Sequence, residues 1–341
     1  MIQILIYKNM RANLTFFIIL FFKIIPMTSE CSNDHLSYHK FSDSCMGTTF
    51  TLLIDHDNIE EAKKGALLAF KEAHRLNLVF SDYESESELS KLSTNSGSEK
   101  FHPISIELMS ILVASQRLSE ETNGSFDITI GPYSRLWRIA RFKGILPEKN
   151  KLVDAQKRVG YKNLILDYDK QKAKLLKKDM LLDLGGIAKG YAADRMLEIC
   201  KLHNLSRVLI DAGGDILLGN APRGKKGWVV SIGGRKHQNS PTLTLSDTAI
   251  ATSGDIEQSI TINGKTYSHL INPNTGVGLT TLAQVTVIAP KAMIADSLAS
   301  ACLVLGLEKS KTLLHSQKQV TAFFLKQTKG NLILSKINES N

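Results

Sequence analysis

The chain has 341 residues, 43% of them hydrophobic, and a formal net charge of +9 at pH 7. That length carries a large core, as one big domain or as two lobes. The basic residues are scattered, with no dense Lys/Arg run interleaved with aromatics, which excludes a nucleic-acid-binding stripe and leaves a solvated basic surface mildly attractive to anions.

Near the N-terminus, Leu14 to Phe22 is a mostly apolar run between Arg11 and Lys23. It falls short of the roughly 20 apolar residues that cross a bilayer. Its shape is that of a secretory signal, so an exported chain is expected, with residues 1–30 a signal peptide or an N-terminal anchor and 31–341 the functional domain. Met10-Arg11 would make a tidier start than Met1. Cys31 raises lipidation as an alternative, although Thr28-Ser29-Glu30 lacks the usual aliphatic residue. Cys31, Cys45, Cys200 and Cys302 show no metal spacing and no disulfide framework; the last two read as buried thiols.

Residues 32–45 read as a polar lead-in, and Thr48 to Ile54 as a strand. Ala62, Ala66, Leu67, Phe70, Ala73 and Leu76 fall at helical spacing and predict a long helix over Ile59–Phe80. Ser81 to Gly97 is polar, with a short apolar step at Leu89 and Leu92. A second helix spans Ile106–Thr122 and stops at Asn123-Gly124. Thr122 to Pro132 then enters a turn, and Leu152–Gly160 is a short helix. Asn163–Asp167 and Lys172–Leu176 form a hairpin. An apolar strand runs into Asp183, followed by Gly185-Gly186 and a helix from about Ala188 to His203. Strands follow at Val208–Ile210, Trp228–Ile232, Leu243–Leu245, Ala249–Thr252 and Gln284–Ala289. Ser259–Ile262 and Thr266–Leu270 flank Asn263-Gly264, a hairpin signal. A helix over Met293–Leu305 closes the series. Helices gather early and strands late, so the fold class is α+β with two intimately joined lobes.

Several segments carry chemistry. Gly185-Gly186 lets backbone approach a ligand, and the helix start with Lys189 in its first turn suits a phosphate. An ordinary strand–turn–helix with a solvated lysine is the alternative. Asp296 and Ser300 lie four apart on one helix face and suit a hard cation such as Mg²⁺. A dipole-favoured Asp and a packing Ser would look the same. His269, before the turn Asn272-Pro273-Asn274-Thr275-Gly276, is either a general base or a structural histidine. Asp127 either accepts from a ligand ring or ribose, or caps the next segment. Tyr83 either stacks on a flat ligand or is a surface tyrosine. Met46-Gly47-Thr48-Thr49 either touches a ligand or simply starts a strand. No dinucleotide fingerprint, P-loop, H-E-x-x-H or G-x-S-x-G motif occurs.

Taken in order, these segments resemble the ApbE family, the FAD:protein FMN transferases. The resemblance runs through Met46-Gly-Thr-Thr, Ser81-Asp-Tyr83, Gly124-Ser-Phe-Asp127 and Gly131-Pro132. It continues through Asp183-Leu-Gly-Gly-Ile-Ala-Lys-Gly190, Ala212-Gly-Gly-Asp215, Thr252-Ser-Gly254, Ser268-His269, Pro273-Asn-Thr-Gly276, Ala295-Asp296 and Ser300. The resemblance implies an ApbE-like, T-fold-related domain with FAD in the cleft between its lobes. It implies FAD contacts from Met46, Tyr83, Ser125, Phe126, Asp127, Asp183, Lys189 and the main chain near Leu270. Mg²⁺ would be held by Asp296, Ser300 and the carbonyl of Gly186, with His269 as catalytic base. Ile128 stands where proline often follows Phe-Asp, and Ser300 where threonine is usual. The implied reaction moves FMN from FAD to a Thr/Ser hydroxyl of an acceptor flavoprotein and releases AMP. The implied acceptors are subunits of membrane redox pumps, which would place this chain in the periplasm or on the outer face of the inner membrane. The family's acceptor run, roughly Ser/Thr-Gly-Ala-Thr, does not occur in this chain, which therefore modifies others. An FAD pyrophosphatase and a non-catalytic exported FAD-binding protein are the competing expectations.

Overall fold

In the computed structural model, the described residues are 38–232, 241–254, 259–281, 283–328 and 331–338. The signal or anchor and Cys31 lie outside them. Among the described residues no helix is long and apolar enough to cross a membrane.

The frame is one eight-stranded sheet. Its strands are β1 (Tyr38–Cys45), β2 (Thr48–Asp55), β3 (Val208–Ala212), β4 (Asp215–Leu218), β5 (Thr248–Gly254), β6 (Ala283–Ala289), β7 (Thr321–Thr328) and β8 (Asn331–Asn338). They lie side by side in chain order, each antiparallel to its neighbour. Alternation does the local work: Phe50, Leu52 and Ile54 are fully buried, while Thr51 and Leu53 between them are only half-buried. Val208, Ile210, Ala249, Ala251, Val285 and Val287 extend the same buried face.

Helices cover that face. Helix α1 (Ile59–Phe80) starts at Asn58, whose side chain accepts from the N–H groups of Glu60 and Glu61. Its inner side carries Ala62, Ala66, Ala69 and Ala73, small enough for close approach. Helices α2 (Glu88–Thr94), α3 (Ile106–Glu121), α4 (Gly131–Lys143) and α5 (Lys149–Gln156) follow before α6 (Ala188–Leu202). Helices α7 (Ala292–Leu305) and α8 (Leu307–His315) lie between β6 and β7. Gly190 fixes the α6–α7 crossing: a Cβ there would sit 2.3 Å from the carbonyl oxygen of Ala292. Asp194 of α6 caps α7, accepting from Ala292 N–H at 2.8 Å and Met293 N–H at 3.0 Å. On the other sheet face, Leu218, Trp228, Val230 and Ile250 form a second core under the Trp228–Ser231/Thr242–Leu245 hairpin.

A smaller cluster joins Tyr133 and Trp137 of α4 to Ala155, Ile262, Tyr267 and Ile271. Trp137 Nε1 donates to the Gly276 carbonyl at 2.8 Å. Gly276 has φ +69, and a Cβ there would meet the Tyr133 ring at 2.4 Å, so only glycine fits.

The α+β class holds, and the first two strands join the later ones in one sheet. Four local expectations change. The polar stretch 38–45 is the edge strand β1, in which exposed Lys40, Ser42 and Ser44 alternate with half-buried His39, Phe41 and Asp43. The run into Asp183 is not a strand; it is a connection tied by Asp183 N–H to Ile128 O at 2.8 Å and Leu182 N–H to Ser93 Oγ at 3.2 Å. Leu89 and Leu92 are the buried side of the short helix α2. Gly131-Pro132 begins helix α4 and does not close a turn, since proline is tolerated in a first helical turn. Cys200 and Cys302 are fully buried thiols, as expected.

Candidate active site

The centre of the site is Lys189, in the first turn of α6. Its ammonium bonds Asp215 Oδ2 and lies 3.8 Å from Asp296 Oδ2. Asp215 opens β4 directly after the left-handed Gly213-Gly214 turn, and its Oδ1 accepts from Thr252 N–H at 3.3 Å. Asp296 Oδ2 also accepts from Gly190 N–H at 3.1 Å. Lys189 is therefore no solvated surface lysine: it bridges two carboxylates buried to 6% and 3% exposure. Burial lifts the Asp296 carboxyl to about 7; Lys189 pulls it down and Asp215 pushes it up further. Burial disfavours the Lys189 charge, but Asp215 and Asp296 outweigh it and hold the ammonium protonated.

Asp296 and Ser300 share one buried face of α7, as their spacing predicts. Ser300 Oγ lies 3.1 Å from Ser253 Oγ. A Cβ on Gly186 would lie 3.1 Å from Ser300 Oγ and 3.6 Å from the Phe126 ring. The loop before α6 thus passes directly over Ser300, with Phe126 alongside. Among the described residues no group of three or more His, Cys, Asp or Glu is placed to hold a metal. The expected set is of another kind, one carboxylate, one hydroxyl and one carbonyl. These are hard oxygen donors beside a net-negative carboxylate pair, and that chemistry fits Mg²⁺.

Asp183 belongs to a second group. Its Oδ1 accepts from Gly185 N–H at 2.8 Å, and its Oδ2 faces Arg138 at 3.4 Å. Arg138 also pairs with Asp82 Oδ2 at 2.6 Å, and its guanidinium lies 3.9 Å from the Tyr83 ring centroid. Burial lifts the Asp82 carboxyl to about 6, with Asp183 repulsion adding and Arg138 opposing.

Met46 has φ +49 in the turn between β1 and β2. That turn lies at the sheet end that carries Asp215, because Gly213 abuts the Thr48 side chain. Asp127 takes the capping role: its carboxylate accepts from Thr129 N–H at 2.8 Å, Thr129 Oγ1 at 2.7 Å and Tyr161 N–H at 2.9 Å. Ser125 lines a groove of about 510 Å³ with Asn123, Asn274, Lys309 and Thr312. His269 is half-buried at a strand end. Its neighbours are fixed: Ser268 Oγ accepts from Leu270 N–H at 3.1 Å, and Leu279 N–H donates to Leu270 O at 2.9 Å. The Leu270 main chain is thus engaged within its own hairpin.

The structure therefore brings together Lys189 with Asp296, Gly186 with Ser300 and Phe126, and Asp183 with Tyr83 through Arg138. Sequence reasoning assigned no role to Asp215, Ser253, Asp82, Arg138 or Asp194. Asp215 had a signal, a carboxylate after paired glycines at a strand end. Arg138 had none, being one of three arginines within a basic amphipathic helix.

Asp194 gives a prediction of its own. Burial lifts its carboxyl to about 6 against two stabilising N–H bonds. An ordinary aspartate titrates near ~3.9, so in the intervening window the folded chain holds more protons than the unfolded chain. Its contribution is therefore largest in acid and is lost as pH rises through the folded value. Against Asp194→Asn, the native chain should gain about 2 kcal/mol as pH falls across that window. Parallel unfolding curves for the two proteins between pH 4 and 6.5 would refute this.

Comparison with known proteins assigns the chain to a family. A family model described as the ApbE family matches residues 46–324. A FAD:protein FMN transferase of Haemophilus influenzae is 32% identical over 252 residues, 69% of this chain and 70% of that protein. One of Klebsiella pneumoniae is 29% identical over 282 residues, 80% of each chain. The ApbE protein of Thermotoga maritima superposes with a TM-score of 0.78 at 27% identity, over 88% of this chain and 97% of that one. The flavin transferase ApbE of Vibrio cholerae, at 24% identity over the same shares, agrees in fold with a TM-score of 0.79. The fold and these relatives together define an enzyme, an α+β transferase. The chain belongs to the ApbE family.

Proposed function

We propose that this enzyme transfers the FMN half of FAD to a threonine or serine hydroxyl of an acceptor flavoprotein, releasing AMP. The acceptor oxygen forms a bond to the FMN phosphorus while the bond from that phosphorus to the bridging oxygen breaks. AMP leaves with that oxygen. His269 takes the proton of the attacking hydroxyl, a role its residue type suits near neutral pH.

The observation that carries this reading is the clustering of Lys189, Asp215, Asp296, Ser300 and Gly186 where α6 begins. Backbone N–H groups at a helix start favour a phosphate, and fixed charges there need little reorganisation as charge develops. Asp296, Ser300 and the Gly186 carbonyl would hold Mg²⁺, which when bound neutralises charge on the leaving phosphate. Lys189, tied to both carboxylates, holds the acidic pair in place and opposes the rise that burial imposes on Asp296. Tyr83, Met46, Asp183, the Ser125–Phe126 segment and the chain near Leu270 surround FAD in the cleft. Asp127, already satisfied by three donors, shapes that segment from behind.

In this reading the acceptors are flavoprotein subunits of membrane redox pumps. The enzyme meets them after export, in the periplasm or at the outer face of the inner membrane. The N-terminal apolar run serves as signal or anchor.

The test is intact-mass spectrometry of such an acceptor after incubation with enzyme, FAD and Mg²⁺. The expected result is a mass gain of one FMN per acceptor, matched by AMP and lost on chelation. FMN release without a mass gain would make the enzyme an FAD pyrophosphatase. Retention of intact FAD would make it a binding protein.

A further inference from the structure

We propose that Arg138 is a positioning residue that holds Tyr83 as a preformed stacking platform for a flat ring of FAD. The proposal deepens the flavin-transfer reading and rests on it. Tyr83 is 76% exposed, yet both its backbone and its ring are held in place. Its backbone is pinned from one side, because Ser81 Oγ accepts from the N–H groups of Tyr83 and Glu84, each at 3.2 Å. Ser81 is anchored in turn by Ser87 and Ser90, whose hydroxyls donate to its carbonyl.

The ring is pinned from below. The Arg138 guanidinium lies 3.9 Å from its centroid, covering one face and leaving the other to solvent. Arg138 cannot drift, since Asp82 Oδ2 at 2.6 Å and Asp183 Oδ2 at 3.4 Å hold it from neighbouring segments. Asp183 also accepts from Gly185 N–H, at the loop that passes over Ser300. The stacking platform and the phosphate end are therefore joined through one carboxylate. Both carboxylates face one nitrogen, Nη2, while the planar guanidinium lies against the ring, a flat contact that the compact ammonium of lysine does not offer. Freezing a two-torsion aromatic before the ligand arrives removes an ordering cost from binding.

The experiment is a double-mutant cycle on FAD affinity, read by quenching of flavin fluorescence, with Arg138→Ala, Tyr83→Ala and the pair. Arg138→Ala should weaken FAD binding about three- to fivefold, the equivalent of one exposed cation–π contact. On the Tyr83→Ala background the same change should cost clearly less, the remainder being the loosened Asp183. FMN and AMP titrated separately tell which flat ring stacks: the one whose affinity falls in Arg138→Ala is the partner. Equal losses with and without Tyr83 would overturn the proposal, as would an unchanged affinity in Arg138→Ala. If Arg138→Ala does not fold, Arg138→Gln, which keeps a polar amide but carries no charge, takes its place with the same expectation. Failure of the native chain to bind FAD would overturn the flavin-transfer reading itself. Native binding and labelling with no Tyr83-dependent Arg138 effect would overturn only this proposal.

Discussion

Asp296→Asn should abolish acceptor labelling while making the metal-free protein more stable than the native one at pH 8. Labelling should fall by at least about a hundredfold, since a fixed charge at a reacting phosphate is the kind of contribution worth that much. The stability gain comes from the same burial that makes the residue useful. Asp296 is 3% exposed, and burial lifts its carboxyl to about 7. The folded value lies above the ordinary ~3.9 of an aspartate, so the folded chain loses stability as pH rises through that interval. Asparagine keeps the shape and an acceptor for Gly190 N–H but carries no charge. Thermal melts with a chelator present should place the variant above the native chain at pH 8 and close the difference toward pH 5. Labelling at the native rate, or a variant less stable at pH 8 than at pH 5 relative to native, would contradict the assignment.

Lys189→Met should have the largest effect on the fold. It leaves Asp215 and Asp296 buried beside each other with no cation between them. Removing one partner of a buried charge group destabilises by about 3 kcal/mol or more. Urea titration at pH 8 reads the deficit directly. It should shrink at pH 5, because Asp296 can then take a proton in place of the lost ammonium. Adding Asp215→Asn to Lys189→Met should recover part of the loss, as only one stranded charge remains. A deficit under about 1 kcal/mol, independent of pH, would mean the three groups do not act as a unit.

Much of this was legible in the chain. Helix α1 begins and ends where its apolar spacing places it, because a 22-residue amphipathic stretch leaves few other solutions. The spacing of Asp296 and Ser300 put both on one face of α7, where they lie. What escaped shares a cause. Strand β1 alternates in burial, but its inward side carries His39 and Asp43, both only half-buried at the sheet edge, so the alternation is not a hydrophobic one. Helix α4 was hidden by a Gly-Pro pair that ordinarily marks a turn, and with it went Arg138. The Leu181–Asp183 run is apolar enough for a strand, yet it serves as a packed connector. Asp215 and Asp194 act through partners 26 and 98 residues away, distances that no local pattern encodes.

The order of the sheet also sets a schedule. Strand β2 ends at Asp55, and its partner β3 begins at Val208. During synthesis the β1–β2 hairpin therefore waits for its sheet partner while residues 56–207 follow it. An isolated two-stranded hairpin is marginal in water, and an unpaired strand edge invites association with other chains. Lys189 emerges within that interval but Asp296 only long after it, so the lysine–carboxylate centre can form only near the end of folding. Nascent chains halted before Val208 should be the most aggregation-prone intermediates, and competence for catalysis should be among the last properties the chain acquires.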